Sequence, residues 1–159
     1  GKLVSTLLVK MKGPRYISPF LNRTVLEGND RKFKEPDLPN RWISRDPEVV
    51  KAYNSDPYCS FKFTASGYRD LFTLIQKVVR RQDIGTIPKG LPILLVSGAD
   101  DPVGEMGKGV RRAEEGLEKA GLNPEMKLYE GGRHEILNET NRQEVYVDIL
   151  SWLDSHISQ

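Results

Sequence analysis

The sequence has a single cysteine, Cys59, and only two histidines, His134 and His156. One cysteine excludes an internal disulfide framework and any cysteine-based zinc site. Two histidines are too few for a histidine-rich metal centre. Long hydrophobic runs are absent as well: the longest, residues 91–96, falls far short of the roughly 20 residues that span a bilayer, so no stable membrane insertion is expected. The first ten residues, GKLVSTLLVK, are interrupted by lysine and lead to no small-residue cleavage site, so no signal-peptide pattern is present and the expected location is cytoplasmic. Neither sign of charge is in excess, with 24 Lys+Arg against 22 Asp+Glu and a formal net charge of +2. That balance excludes a dedicated nucleic-acid binder. With 38% hydrophobic residues it also excludes a disordered polyelectrolyte. What is present, 159 residues and enough apolar side chains to fill one core, is the material of one ordinary domain.

The two halves differ in character. Leu3, Leu7, Leu8 and Met11 recur at helical spacing and predict a short helix that stops at Gly13-Pro14. A breaker-rich stretch follows, with Pro14, Pro19, Gly28, Pro36 and Pro39. Asp46 with Pro47 behind it predicts a helix start, with Val49, Val50 and Tyr53 as the apolar face. A second start is expected at Ser66. There Tyr68, Leu71, Phe72, Ile75 and Val78-Val79 form an amphipathic helix, and Arg80-Arg81 lie in its last turn, favourable to the dipole.

After residue 90 the pattern becomes regular. Residues 91–97, LPILLVS, are the continuous apolar run of a strand buried on both faces of a parallel sheet. Val110, Ala113, Leu117 and Ala120 predict a helix closed by Gly121. Residues 125–129 alternate as a second strand, and Val145, Ile149, Leu150, Leu153 and Ile157 mark a last helix. The order is strand, loop, helix, strand, loop, helix, the βαβα end-piece of an α/β sheet. Ligands of open α/β sheets bind outside the carboxyl ends of the strands. Asp101 and His134 each sit just past such an end, so parallel neighbouring strands bring an acid and a histidine to one rim. Two strands with two helices bury themselves poorly, and nothing before residue 91 reads as a further parallel strand. The expectation is therefore the C-terminal part of a larger α/β unit.

The segment Ile93-Leu94-Leu95-Val96-Ser97-Gly98-Ala99-Asp100-Asp101-Pro102-Val103, with Leu128-Tyr129-Glu130-Gly131-Gly132-Arg133-His134-Glu135 about thirty residues on, resembles the end of an α/β-hydrolase. The branch it is most similar to is that of monoacylglycerol lipases, lysophospholipases and related esterases. Residues 42–47 through Asp56-Pro57 resemble the cap that this branch inserts between core strands. The resemblance implies a core helix at residues 1–15, a mainly helical cap at 16–87 and the C-terminal part of the hydrolase core at 88–159. It also implies triad roles. His134 serves as general base and then acid, and Asp101 holds its tautomer. No metal or organic cofactor is needed, and the substrate is a small lipid or ester. The departure from the family is the nucleophile elbow: no serine here has glycine at both minus two and plus two. The triad order in this fold is Ser, acid, His, so the resemblance implies a nucleophile outside this chain. The partner is then the N-terminal part of the same hydrolase, which carries the elbow and the oxyanion donors, and the isolated chain is inactive. Peptidase, epoxide hydrolase, haloalkane-type hydrolase and haloperoxidase chemistry share the fold, and a non-catalytic ligand-binding relative is the remaining alternative.

Other residues have plainer readings. Asp100 rivals Asp101, since one of two adjacent aspartates in such a loop serves only the turn. His156 reads as a surface histidine at a helix C-terminus. Gly131-Gly132 reads as a tight turn that aims His134, lacking the following Lys-Ser or Lys-Thr of a phosphate loop, and the glycines at 104, 107 and 109 read as no nucleotide site. Tyr58, Phe61, Phe63, Tyr68 and Phe72 either line an acyl pocket or pack cap helices onto the core. Arg15, Arg23, Arg31 and Lys32 read as solvated surface, and Cys59 as a small buried hydrophobe.

Overall fold

A computed structural model describes residues 1–25, 27–33, 38–59, 61–78 and 84–157. Pro36, Ser60, Val79, Arg80, Arg81, Gln82 and Ser158 lie outside the described residues. The N-terminal part is helical: α1 (Lys2–Lys12), α2 (Pro19–Val25), a 3-10 turn (Glu27–Lys32), α3 (Pro47–Ser55) and α4 (Ala65–Val78). Helix α1 stops where the sequence predicts, at Gly13 with φ of 90°. Asp46 begins α3, accepting from the Glu48 N–H at 3.0 Å with Pro47 next in line. Helix α4 starts earlier than the expected Ser66. Thr64 is the residue that caps it, its Oγ1 accepting from the Gly67 N–H at 3.2 Å, while the Ser66 hydroxyl donates to Pro14 O. Tyr68 is fully buried between the rings of Phe63 and Phe72 and donates its hydroxyl to Asn22 Oδ1 at 2.9 Å. Phe61 extends this aromatic row, whereas Tyr58 stands exposed outside it.

The remainder runs β1 (Ile93–Gly98), α5 (Lys108–Lys119), β2 (Pro124–Tyr129), a 3-10 turn (Ile136–Asn138) and α6 (Arg142–Ile157). The strands pair in parallel, from Ile93 opposite Pro124 to Gly98 opposite Tyr129. Parallel neighbours need a crossover, which α5 supplies, and both carboxyl ends come out at one edge. Tyr129, Ile136 and Val145 form the core cluster, with Val96 and Ile149 against it.

Three expectations need correction. Residues Ile93–Val96 of β1 are half-buried instead of enclosed on both faces, because a two-stranded sheet with these helices cannot cover both. The stripes of α1 and α6 are covered only in part: Val145 is fully buried and Ile149 packs on the core cluster, but Leu3 is 82% exposed and Ile157 74%, and Leu7, Met11 and Leu150 are exposed with them. Periodicity identifies the apolar face of a helix but not whether anything meets it. Cys59 is half-buried, since its turn after α3 lies at the surface. Arg15, Arg23, Arg31 and Lys32 are exposed as expected. Among the described residues no helix is long and apolar enough to cross a membrane.

Candidate active site

The two strand ends are tied together by their backbones. The Ala99 N–H donates to Tyr129 O and the Asp100 N–H to Gly132 O, each at 2.9 Å. The approach requires glycine at residue 98. A Cβ there would lie 2.1 Å from Gly132 O and 2.2 Å from Arg133 O, backbone atoms with no room to step aside. Gly131, with φ of 68°, turns the chain after β2. The second loop is thereby folded back onto the first.

This folding brings His134 Nδ1 to 3.0 Å from Asp101 Oδ2. Asp101 is only 6% exposed, and its Oδ1 accepts from the Val103 N–H at 2.9 Å. Burial pushes its carboxyl up, but hydrogen bonds from His134 and from the backbone of Val103 and Gly104 outweigh it and hold Asp101 below the ordinary aspartate value. The hydrogen bond to Asp101 raises His134 above the ordinary histidine value, against the opposing effect of burial. An ionised Asp101 assigns the hydrogen to Nδ1 and leaves the lone pair on Nε2. That nitrogen is able to take a proton from an approaching hydroxyl, and 38% of the side chain is open to solvent. Of the two neighbouring aspartates, the structure brings Asp101 to His134; Asp100 contributes its backbone N–H to the tie with Gly132.

The segment that carries Asp101 wraps tightly around it. The Met106 N–H donates to Asp101 O at 2.8 Å, and Glu105, Met106 and Gly107 all adopt left-handed φ of 54°, 57° and 80°. Of the glycines in this stretch, Gly107 takes the left-handed conformation of that turn. An open groove of about 550 Å³, lined by Leu94, Val96, Ser97, Val103 and Val110, runs along β1 to Asp101. His156 is not part of this rim: its Nδ1 lies 2.7 Å from Trp152 O and its Nε2 3.6 Å from Glu125.

The sequence reading did not single out three features of the site. Trp42 O accepts from the His134 N–H at 3.2 Å, Ile43 O accepts from the Glu135 N–H at 2.8 Å, and the Trp42 ring lies 5.0 Å from the imidazole. Glu139, with no exposed surface, accepts from the backbone N–H groups of Arg45, Arg133 and Thr140 and from Arg45 Nε. The Arg133 guanidinium donates to Arg41 O at 2.7 Å and stacks 4.1 Å from the centre of the Phe33 ring. No local motif marks Glu139, whose partners lie up to 94 residues away.

A parallel β1–α5–β2 unit that delivers an acid and a histidine from adjacent strand ends to a shared rim has the architecture of an α/β-hydrolase. Comparison with known proteins gives the same fold. A thermostable carboxyl esterase from Bacillus coagulans, solved with glycerol, superposes with a TM-score of 0.85 at 26% identity over 96% of this chain and 50% of its own. A lipase in its open form gives 0.85 at 27% identity over 98% of this chain and 51% of its own. In sequence, the chain is 35% identical over 119 residues to a monoacylglycerol lipase of Mycolicibacterium smegmatis, covering 72% of this chain and 39% of the relative. The model of the family described as serine aminopeptidase, S33, matches residues 2–141. The chain belongs to this family. It spans about 40% of the length of the curated relatives it matches.

Proposed function

We propose that this chain carries the acid and the base of a serine hydrolase that cleaves carboxylic esters of the monoacylglycerol or lysophospholipid type, and that the nucleophilic serine comes from a segment outside residues 1–159. The observation that carries this reading is the 3.0 Å contact between buried Asp101 and His134, which leaves Nε2 free to act as a base. In the acylation step a serine Oγ attacks the ester carbonyl while His134 Nε2 takes its proton. The carbon–oxygen ester bond then breaks, and Nε2 returns the proton to the departing alkoxide as alcohol. Nε2 then takes a proton from a water that attacks the acyl carbon, the acyl–Oγ bond breaks, and Nε2 returns the proton to Oγ as the fatty acid leaves. Asp101 stays ionised throughout and stabilises the imidazolium. The same reading assigns residues 1–15 to a core helix, 16–87 to a cap and 88–159 to the core.

The test compares residues 1–159 alone with the same chain joined to the N-terminal part of a hydrolase. Only the joined protein should hydrolyse p-nitrophenyl esters, and a fluorophosphonate should label a serine outside residues 1–159. Turnover by the isolated chain, with label on one of its own serines, would overturn the reading. The description of the matched family supports a second reading, peptide hydrolysis by the same acid and base. An aminoacyl p-nitroanilide turned over faster than a monoacylglycerol would favour it.

A further inference from the structure

The carboxylate of Glu139 receives four hydrogen bonds, three of them from Arg45 and Arg133 and the fourth from its neighbour Thr140. Oε1 accepts from the Arg45 N–H at 3.0 Å and from the Arg133 N–H at 2.9 Å, the latter on the residue just before His134. Oε2 accepts from Arg45 Nε at 2.9 Å and from the Thr140 N–H at 3.0 Å. The same guanidinium reaches Asn141 Oδ1 at 2.9 Å, and its Nη1 lies where a Cβ on Gly131 would meet it at 2.8 Å. The Ser44 hydroxyl donates to Asn138 O and also accepts from the Asp46 N–H. Residues 42–45 are thus laid alongside residues 133–135, with Trp42 O and Ile43 O holding the backbone N–H groups of His134 and Glu135.

A buried carboxylate is expensive unless it is fully satisfied. This one is satisfied only when the segment leading into α3 and the loop carrying the base are in place together. We propose that Glu139, with Arg45 as its counter-ion, is a positioning residue that fixes His134 against Asp101 by clamping residues 42–45 onto the His134 loop. The inference rests on the ester-hydrolase reading above. Neither residue reaches the reacting atoms: each acts through the backbone on either side of His134. The charged groups acting directly on the imidazole are Asp101 and Glu135, and Trp42, whose ring lies 5.0 Å from it, brings no charge.

The test uses the full-length hydrolase with Glu139→Gln and Arg45→Met. A loosened clamp should lower kcat about tenfold or more with KM little changed. It should also move the acid limb of the kcat/KM profile to lower pH in both variants, because His134 loses the partner that holds its proton. Charge acting through space predicts something else: removing the negative Glu139 lowers the limb, and removing the positive Arg45 raises it. Limbs that move in opposite directions, or rates unchanged in folded variants, would overturn the inference. Should both variants fail to fold, Ser44→Ala removes only the hydroxyl bridge. It should give a smaller kcat loss with the limb moved the same way, and an unchanged profile in that folded variant counts against the clamp. Asp101→Asn is run in parallel. An inactive Asp101→Asn beside a normal Glu139→Gln defeats the clamp alone, and a fully active Asp101→Asn defeats the triad reading and the clamp with it.

Discussion

The rim joining β1 to β2 and the flanks of the molecule are built on opposite terms. At the rim, polar groups find partners within the chain: Ala99 with Tyr129, Asp100 with Gly132, Asp101 with His134, and Glu139 with Arg45 and Arg133. On the flanks, Leu3, Leu7 and Met11 of α1 and Leu150 and Ile157 of α6 stand in solvent, although burying apolar surface gains about 25 cal/mol per Å². The lesson is a division of labour. Backbone geometry and short polar contacts hold the acid and the base together, while the apolar faces of α1 and α6 are left partly open within residues 1–159.

The hardest blow to the rim in the full-length enzyme is His134→Ala, which should abolish ester turnover. Asp101→Asn should cost about 10⁴ in kcat, as losing the orienting carboxylate does in serine-protease triads, while Asp100→Asn stays within a few-fold. The double removal of Asp101 and His134 should cost about as much as His134→Ala alone. An active Asp101→Asn beside a dead Asp100→Asn would reverse the roles of the pair.

Gly98→Ala comes next. Its methyl meets two backbone carbonyl oxygens, so the loops must separate. We expect about 1–3 kcal/mol of lost stability in urea titration and roughly a hundredfold lower kcat. Native activity in this variant would mean that the close approach is dispensable.

The pH profile is a finer probe. The base works neutral, so kcat/KM should rise as pH rises through the His134 pKa. The hydrogen bond to Asp101 raises that pKa against the effect of burial, and the acid limb should therefore fall to lower pH in Asp101→Asn. A limb unmoved in that variant contradicts the pairing. The smallest effects belong to the flank. His156→Ala should change stability by no more than about 0.5 kcal/mol and leave the His134 titration, followed by NMR, where it was. A moved titration would show that flank and rim are coupled.

Much of this was legible in the sequence. The run before Gly98, the alternation before Gly131 and the Asp46-Pro47 start each state a local rule that no distant contact overrides, and the α/β order follows from them. The meeting of Asp101 with His134 was legible as topology. What the sequence hid depends on pairs far apart. Nothing near Glu139 marks a carboxylate that will bond Arg45 across 94 residues. Gly98 looks like any loop glycine until the carbonyl of Gly132 is set beside it. The exposure of Leu3 and Ile157 was hidden for a related reason, since a stripe records a preference and not an encounter.

The register of the two strands has one more effect. With Gly98 opposite Tyr129, a slip of one residue displaces a loop by about 3.3 Å and turns alternate side chains to the other face, more than a 3.0 Å contact between Asp101 and His134 can absorb. The pair therefore works as a checksum on strand alignment. During refolding, the raised His134 titration should appear only in molecules whose strands have locked in step, and a mis-registered population would announce itself as a second His134 resonance that lacks the upward shift.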